Sequence, residues 1–323
     1  IVKEPPNKEM SKRRSFSQPT PHPVANRNLC IAAVVVAMVW LSSILWPAQT
    51  TAAWPFVAEI QASSWVAGVL AAAGIGILRS IRRAALCAVL ALLAVLIVPR
   101  VPAPSFSDAH TSTRVFSLNT YWGQADDKRI ARAIEELKPD VVFLIETNAE
   151  EVEKVAEQSG YEPLTKPRPG NDRADNVVGL VSASFKEKTG AHGNMVRGLT
   201  RFQTPRVNAP LHGNSEFVGV HAVAPAKDDR KAWEQDLASL SDWANSRRHL
   251  VLAGDFNATR SHPRYRDFEL SDCTGHLAHT PTWPAVFPVI RLDHIMTTGE
   301  CLGGGTKRIP GTDHLAVWAD VTT

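Results

Sequence analysis

Hydrophobic residues are arranged in two different ways along the chain. In the first third they form long runs without a charged side chain, at residues 29–46, 60–78 and 84–98. Apolar runs of about 18 residues are typical of membrane-spanning helices, although the third run is short for a span. We therefore predict a membrane anchor over residues 29–99 with three transmembrane helices at these positions. Residues 1–28 are rich in proline and basic side chains, which indicates a disordered tail.

Basic residues near the ends of these runs predict the orientation of the anchor. They precede the first run and recur between the second and third, at Arg82 and Arg83, whereas the loop at 47–58 carries no charge. Because Lys and Arg concentrate in cytoplasmic loops, both basic sets are assigned to the cytoplasm. Three spans then place the C-terminal domain outside the cytoplasm, at an inner membrane. If the third run is not a span, the domain is cytoplasmic instead. If none of the three runs crosses a membrane, they are buried helices of a soluble domain, which would need a very large core.

Short apolar runs alternate with amphipathic segments in the rest of the chain. A proline-rich linker, residues 100–112, precedes this part, and residues 113–323 are assigned to one domain. Continuous apolar runs predict strands at 114–119, 141–145, 176–182, 217–223, 250–253, 292–296 and 315–321. Apolar residues at helical spacing predict helices at 127–137 and 228–245. This order of elements predicts an α/β domain with sheets buried between helices.

The formal net charge of +3 is unevenly divided along the chain. Residues 1–111 contain 10 Lys or Arg against 4 Asp or Glu, which leaves 25 against 28 and a net charge of −3 in residues 112–323. Such a domain lacks the excess of basic residues with which many DNA-binding proteins hold phosphates. The composition counts against a protein that clamps duplex DNA.

The cysteines, a pair of histidines and a run of glycines are weaker evidence for metal sites, cross-links and phosphate-binding loops. The four cysteines form no CxxC pair, so a structural zinc site is not expected. Cys273 and Cys301 would form a disulfide only if their domain lies outside the cytoplasm. His276 and His279 are a weak zinc motif that we interpret as loop residues. The run Gly303–Gly305 lacks the spacing of a phosphate-binding loop and is interpreted as a flexible turn.

Polar side chains stand at the carboxyl ends of the predicted strands. The set is Asn119, Glu146, His221, Asp255, Asn257, Asp293, His294, Asp313 and His314. Each alone has an ordinary interpretation as a turn, cap or surface residue, but the repetition at strand after strand favours a shared site. Oxygen ligands with several carboxylates suit a hard ion, so Mg²⁺ or Mn²⁺ is the expected cofactor. The sequence has no GxSxG, GxxxxGK[ST] or HExxH motif, which argues against the corresponding classes of enzyme.

Six motifs in a fixed order resemble the endonuclease/exonuclease/phosphatase family. They are LNTYW (118–122), FLIET (143–147), GVHAV (219–223), LAGDFNAT (252–259), RLDHI (291–295) and GTDHLAV (311–317). GDFN alone would be weak, but GDFN followed by LDHI and by DH before an apolar strand is specific, and the resemblance spans residues 114–321. Three N-terminal spans are also similar to those of the family's bacterial inner-membrane members. The resemblance implies a four-layer αββα sandwich, with two sheets face to face, helices outside and the site at one edge.

The resemblance also implies roles for the polar residues. By motif position, the family's metal-site residues correspond to Asn119, Glu146 and Asp313. Its phosphate-binding and water-orienting residues correspond to His221, Asp255 and Asn257. Its acid–histidine pair corresponds to Asp293 and His314, with His294 in a supporting position. In the implied chemistry the ion neutralises charge on the phosphate, and His314 takes a proton from water, with Asp255 as the alternative base. Abasic-site nucleases of the family have an acid two positions after the asparagine, where this chain has Tyr121. A dedicated role in DNA repair is therefore not expected.

Together these features predict a membrane-tethered, divalent-metal-dependent hydrolase of phosphate esters. Nucleic acid and the headgroup of a phospholipid or sphingolipid are both open as substrates. The negative domain and the membrane tether favour a lipid, whereas nuclease activity is the commoner assignment in the family. The lipid bilayer is an expected partner through the N-terminal helices, and no protein partner is predicted. The alternative is a non-catalytic binding module, which the complete set of site residues disfavours. Segments 163–175 and 190–212 are expected to shape the substrate pocket.

Overall fold

The structure is a computed structural model that describes residues 23–54, 56–68, 112–169, 175–210, 212–273 and 280–323. Several sequence predictions fall on other residues. The predicted third span, most of the second span, nearly all of the linker and the pair His276 and His279 lie outside the described residues.

Within the described chain the strands form two six-stranded sheets. The first sheet contains β1 (Thr113–Asn119), β2 (Val141–Ile145), β3 (Glu162–Pro163), β4 (Val177–Val181), β11 (Cys301–Arg308) and β12 (Leu315–Val321), in the order β11-β12-β1-β2-β4-β3. The second contains β5 (His192–Val196), β6 (Thr204–Ala209), β7 (Ser215–His221), β8 (Leu250–Asp255), β9 (Ser271–Asp272) and β10 (Asp293–Thr297), in the order β5-β6-β7-β8-β10-β9. Neighbouring strands are antiparallel except for β1 with β2 and β7 with β8. Each predicted strand is confirmed, with ends that agree to within about two residues.

Helices cover the outer faces of both sheets. On the first sheet these are α4 (Asp127–Leu137) and α5 (Ala149–Ser159), and on the second α7 (Arg230–Asn245). The short helix α6 (Ala183–Thr189) instead contributes Phe185 to the cluster between the sheets. The predicted helix at 127–137 is confirmed, and the carboxylate of Asp126 caps it by accepting from the backbone N–H of Arg129. The predicted helix at 228–245 begins with the 3-10 turn Lys227–Asp229, so its α-helical part starts at Arg230.

Hydrophobic clusters hold these layers together. Residues of both sheets pack against each other in the interior, among them Val115, Phe143, Phe217, Val251 and Ile295. On the outside of the first sheet, Leu144 packs with Ile130 of α4. Phe143 and Leu144 thus point to opposite faces of β2, and both are buried, which explains the continuous apolar run. The predicted sheets between helices are confirmed.

The described part of the N-terminal segment contains the helices α1 (Pro23–Ser42), α2 (Ala48–Ala53) and α3 (Val57–Ala62), and residues 64–68 are helical as well. The first begins inside the predicted tail and gives way at Ser43–Leu45 to a 3-10 turn, within the first predicted span. The third ends at Ser63, shortly after the second predicted span begins. No helix in the described part of the chain is both long and apolar enough to cross a membrane.

Residues 43–68 pack against the C-terminal domain. The Arg266 guanidinium donates to the carbonyl of Ile44 at 2.7 Å, and Nε2 of His262 lies 2.8 Å from the carbonyl oxygen of Ala58. Ala58 is 1% exposed and belongs to the same hydrophobic cluster as Trp233 of α7. The segment is therefore joined to the domain by both polar and apolar contacts.

A disulfide between Cys273 and Cys301 connects the two sheets. Cys273 follows β9 of the second sheet, and Cys301 begins β11 of the first. The interpretation of Gly303–Gly305 as a flexible turn is wrong, because these residues pair with β12 inside β11. A Cβ on Gly304 would lie 2.3 Å from the carbonyl oxygen of Cys273, so this strand needs a residue without a side chain beside the disulfide.

Candidate active site

Polar side chains meet where the two parallel strand pairs end. Asn119 closes β1 and Glu146 follows β2, while His221 and Asp255 are the last residues of β7 and β8 and lie side by side in register. Asp293, the first residue of β10, pairs in register with Asp255. The carboxyl ends of parallel neighbours lie at the same edge of a sheet, so the topology itself brings these side chains together.

Asn119 connects the two sheets at this edge. Its Nδ2 donates to Oε1 of Glu146 at 3.2 Å and to Oδ2 of Asp255 at 3.1 Å, and its Oδ1 accepts from the backbone N–H of Tyr121 at 3.0 Å. Nε2 of His221 lies 3.5 Å from Oε1 of Glu146. Asn119 thereby orients the carboxylates of both sheets toward one another.

The backbone at this edge adopts left-handed conformations at several residues other than glycine. The φ angles are 51° at Tyr121, 59° at Trp122, 54° at Glu146 and 47° at Asn257. Such conformations cost of order 1 kcal/mol each and collect at functional sites, where the surrounding structure holds them in place. At Glu146 that support includes a hydrogen bond of 3.1 Å from the hydroxyl of Thr120 to its carbonyl.

The turn after β8 explains the GDFN motif. Gly254 lies against β7, where a Cβ would come 1.9 Å from the carbonyl oxygen of Val220, so only glycine fits. After the turn, the backbone N–H of Asn257 donates to Oδ1 of Asp255 at 2.8 Å. Its Nδ2 donates to the carbonyl of Ala222 at 2.9 Å, which ties the turn to the end of β7. Asp255 and Asn257 are fixed as one unit.

His314 is bound to Asp293. Its Nδ1 lies 2.8 Å from Oδ2 of Asp293, and because an ionised carboxylate only accepts, Nδ1 is the donor. The remaining nitrogen, Nε2, lies 3.8 Å from Oδ2 of Asp255 and 3.9 Å from Oδ1 of Asp313. The backbone N–H of Asp293 donates to the hydroxyl of Thr282 at 3.2 Å. The pair therefore presents Nε2 between two further carboxylates.

Burial and charge shift the proton affinities at this site. Burial alone would lower the pKa of His314, but the charges of Asp293 and Asp255 and the hydrogen bond to Asp293 raise it to about 10. Burial, opposed by the charge of His314 and reinforced by that of Asp293, raises the pKa of Asp255 to about 7. Burial also raises the pKa of Glu146, against the hydrogen bond from Asn119. The protein groups alone thus make His314 a cation at neutral pH and leave Asp255 close to its titration point.

The donor set suits a hard divalent cation. The carboxylates of Glu146, Asp255, Asp293 and Asp313 surround the imidazole of His314, which leaves an excess of negative charge. Ligand atoms of Asp255, Asp293 and His314 lie within 4.8 Å of one another. Oδ1 of Asp313 is buried and accepts no hydrogen bond within the described part of the chain. Since Nδ1 of His314 is occupied by Asp293, the carboxylates of Glu146 and Asp313 are the better candidates to hold an ion.

Glu146, Asp255, Asp313 and His314 line a cavity of about 760 Å³ whose other walls include aromatic side chains. The ring of Phe202 stacks on His221 with the centroids 4.5 Å apart, and Nε1 of Trp283 donates to Oδ2 of Asp313 at 2.9 Å. Trp122 also lines the cavity. Trp122 belongs to the motif at 118–122, but the sequence assigned it no role, and Trp283 stands outside the predicted strands and motifs. Phe202 lies in segment 190–212, whereas no described residue of segment 163–175 lines the cavity.

His294 lies outside the catalytic cluster. Side chains alternate along β10, so His294 points away from Asp293. Its Nδ1 is 2.9 Å from both the hydroxyl of Tyr265 and Oδ2 of Asp272, and its Nε2 is 2.9 Å from the carbonyl of Ala258. Because His294 follows Asp293 in the sequence, we expected it to support the acid–histidine pair. These contacts instead place His294 in a buried polar network.

Solved structures with a similar fold include TDP2 from two animals. D. rerio TDP2 humanized by 14 mutations has 13% sequence identity and a TM-score of 0.51, and the match covers 66% of this chain and 100% of that one. Truncated Caenorhabditis elegans TDP2 has 15% identity and a TM-score of 0.51, with 66% and 98% covered. D. rerio TDP2 complexed with a single-strand DNA product has 14% identity and a TM-score of 0.50, with 66% and 100% covered. At these identities the likeness shows the fold alone.

The fold comparison does not show to which family the chain belongs, but a match to a family model does. No protein with a curated description matches the sequence. The model of the Endonuclease/Exonuclease/phosphatase family matches residues 116–314, which is more than half of the chain and contains every polar residue assembled above. The chain therefore belongs to the endonuclease/exonuclease/phosphatase family, as its motifs predict.

Proposed function

We propose that this protein is a divalent-metal-dependent phosphoesterase that hydrolyses a phosphate ester by direct attack of water. The observation that supports this most directly is the convergence of Glu146, Asp255 and the His314–Asp293 pair on one cavity. Glu146 and Asp313 would hold a Mg²⁺ or Mn²⁺ ion, whose positive charge would offset that of the phosphate oxygens.

In the proposed reaction a water oxygen attacks the phosphorus while the bond from phosphorus to the leaving oxygen breaks, and the leaving oxygen takes a proton from solvent. Asp255, with a pKa of about 7, accepts the proton of the water. His314, with a pKa of about 10, donates from Nε2 to a phosphoryl oxygen and stabilises its charge. His221 and Asn257 border the same cavity and provide hydrogen bonds to the phosphate. Of the two bases that the sequence left open, this arrangement favours Asp255, because the carboxylates around His314 stabilise its protonated form.

We also infer that the anchor over residues 29–99 holds the domain at a membrane, with the domain outside the cytoplasm. The uncharged apolar runs support the anchor, and the disulfide between Cys273 and Cys301 supports an oxidising compartment. A reporter fused after Thr323 tests the orientation. We expect a periplasm-active reporter to work there, and activity only of a cytoplasmic reporter would contradict the inference.

The reaction is tested with the purified full chain and two generic esters, p-nitrophenyl phosphate and bis(p-nitrophenyl) phosphate. Activity should vanish after treatment with EDTA and return with Mg²⁺ or Mn²⁺. His314→Ala should lower kcat by roughly 10²- to 10⁴-fold while the thermal unfolding temperature stays close to that of the wild type. Equal activity in wild type and His314→Ala would refute the assignment. Absence of hydrolysis under every metal condition would favour the non-catalytic binding module.

A further inference from the structure

The N-terminal segment forms one wall of the active-site cavity. Ala58, Glu59, Ala62 and Ser63 line the same cavity as Asp255 and His314. The wall is held in place by the contact of 2.8 Å from His262 to Ala58, and by a contact of 3.1 Å between the hydroxyls of Ser64 and Ser261. The segment that precedes the domain is therefore a part of the catalytic pocket as well as a connection to the N-terminal helices.

The lining of the cavity includes apolar side chains as well as the polar ones. Helix α3 contributes Ala58 and Ala62, and other segments contribute Val223, Ile290 and Leu292. An apolar group bound among these side chains is removed from water. Each methylene that is buried in this way increases the binding affinity by roughly fourfold. The pocket thus combines polar groups that suit a phosphate with apolar side chains that suit a hydrocarbon chain.

The charges of the pocket do not suit a polyanion. Among the described residues that line the cavity there is no Lys and no Arg. Asp229 lines it but is paired with Arg201 at 2.7 Å, and the carboxylate of Glu59 stands on the exposed side of α3. Nucleic-acid channels carry basic residues along the path of the flanking phosphates, because each neighbouring phosphate needs a counter-charge. The described lining of this pocket therefore has groups for one phosphate but supplies no Lys or Arg to pair with a further one.

Exposed aromatic residues lie on the segments that build the pocket. Trp54 and Phe56 precede α3 and are 65% and 70% exposed, Trp122 on the cavity wall is 50% exposed, and Phe287 in the loop after Trp283 is 75% exposed. Exposed apolar side chains in such numbers mark an interaction surface, and aromatic rings are enriched where a protein meets the headgroup region of a bilayer. A lipid surface fits both these rings and the apolar lining of the pocket.

We propose that the substrate is a lipid phosphate ester, bound with its phosphate at Glu146, Asp255 and His314 and its acyl chain along α3. This proposal rests on the proposed phosphoesterase function and adds the substrate class to it. Nucleic acid, the other substrate class that the sequence leaves open, is disfavoured by the charge of the pocket. Residues Ala62 and Glu59 of α3 are specificity-determining, the first through apolar contact and the second through charge.

The test compares substrates that differ only in their apolar part. The full chain is assayed with dihexanoyl phosphatidic acid against glycerol 3-phosphate, and with dihexanoyl phosphatidylcholine against glycerophosphocholine, below micelle-forming concentrations. We expect kcat/KM to be higher by roughly 100-fold for the acylated member of at least one pair, since each buried methylene contributes roughly fourfold. A single-stranded oligonucleotide is the third arm and should be hydrolysed more slowly than the acylated lipid.

Two variants test whether α3 is responsible for the preference for acylated substrates. Ala62→Glu should reduce the ratio of kcat/KM between the acylated and deacylated members by roughly tenfold or more. Glu59→Lys should raise kcat/KM for the oligonucleotide in low salt and lose this gain in high salt, whereas Glu153→Lys, the same change at an exposed site on α5, should leave activity toward every substrate unchanged. Since Glu59 is exposed, its replacement keeps the test valid even if Ala62→Glu disturbs the docking of α3.

The outcomes separate the two proposals. Hydrolysis of p-nitrophenyl esters without any preference for acylated substrates, or with faster cleavage of the oligonucleotide, overturns the lipid proposal and leaves the phosphoesterase function standing. If no phosphate ester is hydrolysed under any metal condition, the phosphoesterase function itself fails.

Discussion

The imidazole of His314 donates from Nδ1 to the carboxylate of Asp293 over 2.8 Å, and both side chains are buried. The contact fixes the ring orientation, because only Nε2 is then directed toward Asp255. It also keeps the imidazole charged, since the carboxylate stabilises the proton on the ring and raises its pKa. The catalytic value of His314 therefore depends on a residue that does not need to touch the substrate.

Asp293→Asn should lower kcat by roughly 10²- to 10⁴-fold, because the amide is neutral and no longer favours the protonated imidazole in the required orientation. The measurement is kcat with a generic phosphodiester at saturating Mg²⁺, together with the thermal unfolding temperature. Asp320→Asn is the matched control, since Asp320 forms an ion pair with Arg114 on β1, at the end remote from Asn119. Its kcat should equal that of the wild type. A kcat for Asp293→Asn within about twofold of the wild type would contradict the role of the pair.

Trp283→Phe should weaken metal binding and leave the chemistry intact at high metal concentration. The indole N–H donates to Oδ2 of Asp313 at 2.9 Å and so orients a carboxylate that we assign to the ion. Loss of such an orienting hydrogen bond typically costs roughly 10- to 100-fold in metal affinity. The Mg²⁺ concentration for half-maximal activity should rise by that factor.

A matched control for this substitution is Trp243→Phe, which changes a tryptophan on α7 that packs against Arg247. The Mg²⁺ requirement of this variant should be that of the wild type. If Trp283→Phe also has an unchanged Mg²⁺ requirement, Asp313 is not a ligand.

The strands and most of the polar cluster at the candidate site were predictable, because the local sequence pattern and the topology indicate the same arrangement. Val141–Ile145 is apolar at every position since both faces of β2 are buried, so its extent is read directly from the sequence. Polar residues at the ends of such strands stand out, and the parallel pairs then bring Asn119, Glu146, His221 and Asp255 to one edge. The same reasoning misplaces His294, because sequence adjacency to Asp293 does not distinguish the two faces of β10.

Contacts between distant segments were not predictable from local pattern. The carbonyl of Ala58 meets His262 across a sequence separation of 204, and nothing in the sequence around Ala58 marks it as part of a pocket. The stacking of Phe202 on His221 and the bond from Trp283 to Asp313 likewise depend on how loops fold over the sheet edge. These residues decide the shape of the pocket, so the sequence predicts the reaction better than the substrate.

Removal of the disulfide should destabilise the domain without changing its chemistry. The bond between Cys273 and Cys301 closes a segment with a sequence separation of 28, for which the loss of chain entropy in the unfolded state corresponds to about 3 to 4 kcal/mol. The double variant Cys273→Ala/Cys301→Ala should therefore unfold at a lower urea concentration. Its kcat at about 25 °C should be retained, since neither cysteine lines the catalytic cavity.

Reduced wild-type protein is the control for the cysteine substitutions. With a reductant present, its urea midpoint should approach that of the double variant, because both then lack the cross-link. Equal free energies of unfolding for oxidised wild type and the double variant would show that the bond does not form in the folded protein.

Acidification should weaken the attachment of the N-terminal segment through His262. This imidazole is buried, its Nδ1 accepts from the backbone N–H of Thr259 at 2.8 Å, and its Nε2 donates to the carbonyl of Ala58 at 2.8 Å. Burial lowers its pKa to about 4, against a usual value of 6.5. Above pH 6.5 both folded and unfolded chains hold it neutral, so it adds no pH dependence there. Between pH 6.5 and about 4 only the unfolded chain binds the proton, so the free energy of unfolding falls by up to about 1.4 kcal/mol per pH unit.

The measurement is the free energy of unfolding of the wild type and of His262→Gln between about pH 7.5 and pH 4.5, which brackets most of this titration. A glutamine side chain fills the site less well than the imidazole, so we expect the variant to be less stable at the upper pH. The difference between the two proteins should shrink by about 2 to 3 kcal/mol on acidification, because the variant lacks the proton that destabilises the wild type. Other carboxylates and histidines titrate in both proteins and cancel in this difference. A difference that is constant across the pH range would show that His262 is not held neutral by the folded chain.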